Sequence, residues 1–209
     1  MNNQARRTYG GATAEQRRER RRAALLDATL HIVDTEGVAG LGVKAICNVA
    51  GLNNRYFYEQ FADCDEASVA LFDDLVAQAM VMFTTTIANT EAQAELRLRA
   101  CVAAAIDFVT VDPRRGRFVI ETQATEQLRA KRQQLVATLA QLMLTGRPLL
   151  GPDAPCEEDC RLIALSVISG GLELSVMWLR GDLDIGREQL IDFMTAHILS
   201  ATRMPALHV

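Results

Sequence analysis

Proline and glycine are scarce in this chain: five Pro and thirteen Gly among 209 residues. So few breakers argue against disorder and for a packed core. Val/Ile/Thr runs are few and little of the sequence alternates with period two, so sheet gives way to helix. No apolar run reaches about 18 residues, and the N-terminus lacks an apolar h-region. No transmembrane helix, signal peptide or membrane partner is therefore expected. The five cysteines are an odd number and form no C-x-x-C pair. That pattern suits free thiols in a reducing cytosol, a cytoplasmic expectation. Catalytic signatures are missing too. His31, His197 and His208 make no H-E-x-x-H pattern, and neither a Gly-rich phosphate loop nor G-x-S-x-G occurs. The expectation is a protein that is not an enzyme, with no catalytic residue, metal or cofactor. Cys156 and Cys160 stand four apart beside three carboxylates but have no matching third ligand cluster.

What is present is apolar and charged: 49% hydrophobic and 23% charged residues, with a net charge of −4. The charge is uneven. Residues 1–62 carry +3 and residues 63–209 carry −7, while the first 25 residues alone carry +5. A basic head on an acidic body suggests that only the head approaches a polyanion, and a solvated charge run is the plainer alternative.

Residues 1–14 read as a flexible basic arm. A helix is expected from Glu15, with Leu25, Ala28, Ile32 and Val33 on one stripe and Gly37 as its stop. Val43, Ile46, Cys47 and Ala50 predict a short amphipathic helix. Gly51-Leu52 breaks it, and Asn53 can cap the next one. Asp63, with Glu66 three residues on, predicts another start. Long helices are expected to about Ala88, over Glu91–Val111 and Leu128–Leu144, and over 157–180 and 186–202, with a shorter one through Phe118–Gln123. Residues 146–155 read as a loop. The fold class is all-α, with about nine helices. Residues 15–62 are the expected head and 63–209 the expected body.

The stretch Gly51–Phe61, "GLNNRYFYEQF", raises a question of faces. Phe57 and Phe61 are four apart on the expected helix and point the same way, toward Ile46. Asn53, Asn54, Arg55, Tyr56, Tyr58 and Glu59 then share the outer surfaces. Two short helices around a tight Gly turn make a helix-turn-helix. Arg can bond guanine bidentately and Asn adenine, while Tyr hydroxyls bond phosphate. Arg17, Arg18, Arg20, Arg21 and Arg22 would lie beside the duplex and add salt-dependent affinity. Two readings stay open for Tyr56, packing on the rim or reaching a base. Lys44 likewise either touches phosphate or is a surface lysine.

Residues 23–67 resemble the DNA-binding domain of the tetracycline-repressor (TetR) family, with Gly37, Val43, Ile46, Ala50-Gly51, Tyr58 and Phe61 as landmarks in ungapped spacing. "GGLELSVMWLRGDLDI" (170–185) resembles the end of that family's penultimate helix. The resemblance implies a homodimeric, ligand-responsive repressor. Its three N-terminal helices bind a palindromic double-stranded DNA operator, and a small-molecule effector in the C-terminal helices releases it. It places Tyr58 at phosphate. Three positions depart from the family pattern. Gly42 stands where Thr is usual, Cys64 where a phosphate-binding Lys is usual, and Asn53 where Ser or Thr is common.

In the body, Met80, Met82, Phe83, Phe108, Met143, Met177 and Trp178 are candidates for a cavity lining, which suits a hydrophobic effector; plain core packing is the alternative. Glu173 interrupts an apolar run, and a carboxylate there calls for a partner, a ligand or an Arg across a dimer. Ser166, Ser169, Gly170 and Gly171 form a low-profile patch. With Leu190, Phe193, Met194 and Ile198 it suits a four-helix dimer interface, or packing within the monomer. Two rival readings remain. One is a helical small-molecule-binding or enzymatic protein with no DNA role. The other is a redox-sensing regulator using Cys156 or Cys64, whose pKa a helix N-terminus would lower.

Overall fold

The computed structural model describes residues 13–145 and 156–202. The expected loop at 146–155, His208 and residues 1–12 of the expected arm lie outside them. Among the described residues there are nine α-helices and no strand: α1 (Ala14–Glu36), α2 (Val43–Ala50), α3 (Asn54–Tyr58), α4 (Cys64–Asn89), α5 (Ala94–Thr110), α6 (Pro113–Glu121), α7 (Glu126–Thr145), α8 (Glu157–Arg180) and α9 (Arg187–Thr202).

The boundaries follow local chemistry. Thr13 is the N-cap of α1, in a reciprocal capping box with Gln16, so the helix begins at Ala14 rather than Glu15. Asn53 caps α3 by accepting from Tyr56 N at 3.3 Å, and Asp63 caps α4 by accepting from Glu66 N at 2.8 Å. Gly51 closes α2 in the left-handed region, at φ 64° and ψ 31°. The helix expected from Phe118 in fact begins at Pro113, because Asp112 caps it and proline at the first helical position gives up no hydrogen bond.

One buried cluster joins head and body. Leu25, Ile32 and Val33 of α1 meet Ile46, Phe57 and Phe61, then Leu71, Phe72 and Leu75 of α4, Phe118 of α6 and Leu128 of α7. A second, smaller cluster joins α5 to α9 through Val102, Ile106, Leu190 and Ile191. Gly116 lets α6 lie close to its neighbours: a Cβ there would come within 2.9 Å of Val109 O and 3.2 Å of Leu179.

Two helices are nonetheless more apolar than the absence of a long uninterrupted run suggests. α4 and α8 each hold an 18-residue window of mean hydropathy 1.4 and 1.8, long and apolar enough by composition to cross a bilayer. Asp73 and Asp74 interrupt the apolar stretch of α4, and Glu173 that of α8. In the fold α4 packs against α5 and α7, and α8 against α6, α7 and α9. Only 17% of the α8 window is buried within the chain.

Candidate nucleic-acid interface and effector cavity

The short helix α3 sits on two aromatic rings. Phe57 is 0% exposed and Phe61 2%, with ring centroids 5.6 Å apart in edge contact. With these rings inward, Asn53, Asn54, Arg55 and Tyr58 are exposed. Tyr58 is 61% exposed, and the Arg55 side chain 83%. Arg55 Nε donates to Glu59 Oε1 at 3.1 Å, a surface pair that a stronger anion can displace. Lys44 is exposed on α2.

The arginines of α1 divide into two groups. Arg17, Arg18 and Arg20 are exposed. Arg21 folds back instead: its guanidinium lies 4.5 Å over the Tyr56 ring and 3.9 Å from Glu59. Arg22 lies 5.1 Å over Phe61. Tyr56 is half-buried on the rim beneath Arg21. Gly42 caps α2 without a side-chain hydrogen bond. The lowered pKa expected of Cys64 is reversed. Burial pushes its thiol up, and Asp63 and Asp65 on either side push it further. Cys156 is exposed and caps α8 through its sulfur, while Cys160 is buried.

In the body, α4 to α9 enclose a cavity of about 320 Å3. Met80, Met82, Phe83 and Phe108 line it, as do Met194 and Ile198. Met143, Met177, Trp178 and Glu173 are not among its lining residues. Trp178 packs in the second cluster and donates from Nε1 to Ile185 O at 2.9 Å. Glu173 is exposed and accepts from Arg132 of α7 in the same chain at 3.1 Å. The apolar run around it misled because position 173 falls on the outer face of α8 with exposed Ser166, Ser169 and Gly170. The α9 residues split by register. Leu190 is 1% exposed in the second cluster, and Met194 and Ile198 turn to the same side, whereas Phe193 is 54% exposed.

Sequence reasoning missed Arg115, which lines the cavity, and the ion pairs that tie α6 to the head. Arg114 bonds Asp112 at 2.9 and 3.0 Å and Asp27 of α1 at 3.0 Å. Val38 N donates to Glu121 at 3.4 Å. Their only sequence signal is the Asp-Pro-Arg-Arg run at 112–115. α6 thus touches the cavity through Arg115, Phe118 and Val119, and α1 through Arg114.

No family model matches the chain. It is 26% identical over 180 residues to the HTH-type transcriptional activator FasR of Mycolicibacterium smegmatis, covering 84% of this chain and 80% of that one. A TetR-family transcriptional regulator from Rhodococcus sp. superposes with a TM-score of 0.70 at 20% identity, covering 88% of this chain and 99% of that one. The regulator FadR of Bacillus subtilis, solved in complex with stearoyl-CoA, superposes with a TM-score of 0.66 at 18% identity, covering 87% and 97%. A helix-turn-helix head joined through one core to a cavity-bearing helical body is the architecture of the TetR-family transcriptional regulators, and this chain has that fold.

Proposed function

We propose that the chain is a ligand-responsive transcriptional regulator that binds a palindromic double-stranded DNA operator as a homodimer in the cytoplasm. The observation that carries this reading is the outward flank of α3, held there by Phe57 at 0% and Phe61 at 2% exposure. Asn54 and Arg55 supply base-reading chemistry, Tyr58 and Lys44 phosphate contacts, and Asn53 the cap that sets their register. Arg17, Arg18 and Arg20 add non-specific attraction, while Arg21 and Tyr56 brace the head. Residues 15–62 are the DNA-reading part and 63–209 the part that senses and dimerises.

The exposed face of α8, with Leu162 59% exposed beside Ser166, Ser169 and Gly170, is the dimer surface, and Phe193 of α9 extends it. Low burial of so apolar a helix supports a second copy there. The cavity takes a hydrophobic effector. Its volume of about 320 Å3 is within the usual range of roughly 300–1,000 Å3. The B. subtilis FadR complex with stearoyl-CoA supports an acyl-chain compound. Effector binding shifts α6, which pulls on α1 through Arg114–Asp27. A coupling of about 1–3 kcal/mol weakens DNA affinity about 5–150-fold. The natural outcome is repression relieved by ligand. FasR, named an activator, supports a second reading in which the bound regulator promotes transcription. In vitro transcription from an operator template separates the two.

The direct test is equilibrium binding to genomic fragments at graded salt. Affinity should fall steeply with salt. Replacing Arg17, Arg18 and Arg20 by Ala should lower the log–log slope by about one unit for each residue that meets phosphate. Binding with no salt dependence contradicts a DNA role, and an unchanged slope in the triple variant removes these arginines from it.

A further inference from the structure

The cavity wall is hydrocarbon almost throughout, and Arg115 is its one charged residue among those described. A guanidinium carries five N–H donors, and the neighbours of Arg115 use them poorly. Nη1 donates to Phe108 O at 3.4 Å and Nη2 to Gln78 Oε1 at 3.3 Å, both long. Nε is buried and makes no hydrogen bond. The nearest carboxylate oxygen, Asp112 Oδ2, stands 4.0 Å from it, and Asp112 already accepts from Nε and Nη2 of Arg114. The Phe108 ring lies 4.3 Å beneath the guanidinium carbon and fixes its plane. A partly desolvated cation with an unused donor, at the edge of an apolar chamber, is complementary to an oxyanion attached to a hydrocarbon.

We propose that Arg115 is the anchor for the anionic head of the effector, an amphiphile whose apolar chain fills the cavity and whose terminal oxyanion meets the Arg115 guanidinium. This rests on the reading of the cavity as the effector site. It adds that the site selects for negative charge at one end of the chain. The oxyanion is either a free carboxylate or a phosphate of a larger head group, and both offer the acceptor geometry that a guanidinium fork matches. The bound anion also competes with Asp112 for Arg115. It therefore acts next to the Arg114–Asp27 pair that joins α6 to the head.

The test is calorimetric titration of the full-length protein with dodecanoic acid, 1-dodecanol and dodecanoyl-CoA, which share a tail and differ in head. Wild type should bind the acid, the thioester or both roughly tenfold or more tighter than the alcohol. Arg115→Gln should lose that preference yet keep its affinity for the alcohol, and Arg115→Lys should keep part of the preference. An advantage confined to the acid identifies a carboxylate head, and one confined to the thioester identifies the phosphates. Equal binding of all three by wild type, or a preference that survives Arg115→Gln, overturns the anchor and leaves the cavity reading standing. If wild type binds none of the three, the acyl-chain cavity reading falls and the anchor with it. A thermal unfolding scan of both variants shows whether they are folded. Should the Gln variant fail to fold, the Lys variant decides: a preference reduced below that of wild type supports the anchor, and a wholly unchanged preference overturns it.

Discussion

At the scale of single residues, the head depends on a few conformational requirements. Gly51 is one. Its φ of 64° lies where a Cβ meets the following carbonyl, and nothing lies within 4 Å of the place a methyl group would occupy. The cost of Gly51→Ala is therefore backbone strain alone. It should destabilise the protein by about 1–2 kcal/mol, read from the urea midpoint, and an unchanged midpoint would contradict the turn's role. Gly51, Phe57 and Phe61 were legible from sequence because each expresses a local rule: a breaker between periodic runs, or aromatics one helical turn apart. Cys64 was not. Its position at a helix start suggested an activated thiol, but burial and the two flanking aspartates, Asp63 and Asp65, raise its pKa. Glu173 misled for a related reason. Hydropathy along a chain does not reveal which face of a helix a neighbour covers, and here Arg132 reaches it across the surface from α7.

At the scale of elements, α6 packs on α1 and also lines the cavity. The sequence placed its start five residues late because the Phe118 stripe was more visible than the cap. Asp112 is both that cap and the centre of an ion cluster with Arg114 and Arg115. Side-chain hydrogen bonds from Arg114, opposed by partial burial, hold the Asp112 carboxyl below its ordinary value of 3.8. A depressed carboxylate stabilises the fold above the unfolded-state pKa, and that contribution disappears as pH falls through the folded-state value. Asp112→Asn should thus be less stable than wild type at neutral pH, and the gap should close as pH drops below about 3.8. Urea midpoints measured from pH 7 to about pH 3 check this, and a gap that stays constant contradicts it. The long helices were otherwise legible to within a few residues, since α7, α8 and α9 carry sustained periodicity and clear ends. The ion pairs between α1 and α6 were not, because they join positions 87 residues apart that no local pattern connects.

For the whole molecule, symmetry sets the geometry of DNA binding. In the proposed homodimer, two heads on a two-fold body would read inverted half-sites one or more helical turns apart, about 34–36 Å per turn. The body supplies an exposed α8 face on which Gly170 meets nothing within 4 Å, so Gly170→Arg fits the isolated chain but obstructs a second copy. Sedimentation should show that variant as a monomer with weakened DNA binding, and a dimer that survives it would move the interface elsewhere. The cavity could be foreseen in kind but not in lining. Met80, Phe83 and Phe108 do line the cavity, while the helix rotations that admit Met194 and Ile198 and leave out Met177 and Trp178 are set by packing.

The most direct measurement is enrichment of bound duplexes from a randomised pool, with wild type run beside the Asn54→Ala/Arg55→Ala variant. Both residues are exposed on α3 and their loss leaves the core intact. Wild type should enrich an inverted repeat, and the variant, with unchanged unfolding midpoint and dimerisation, should not. Failure of wild type to enrich any repeat, or enrichment of the same repeat by the variant, would contradict the assignment of α3 as the element that reads DNA.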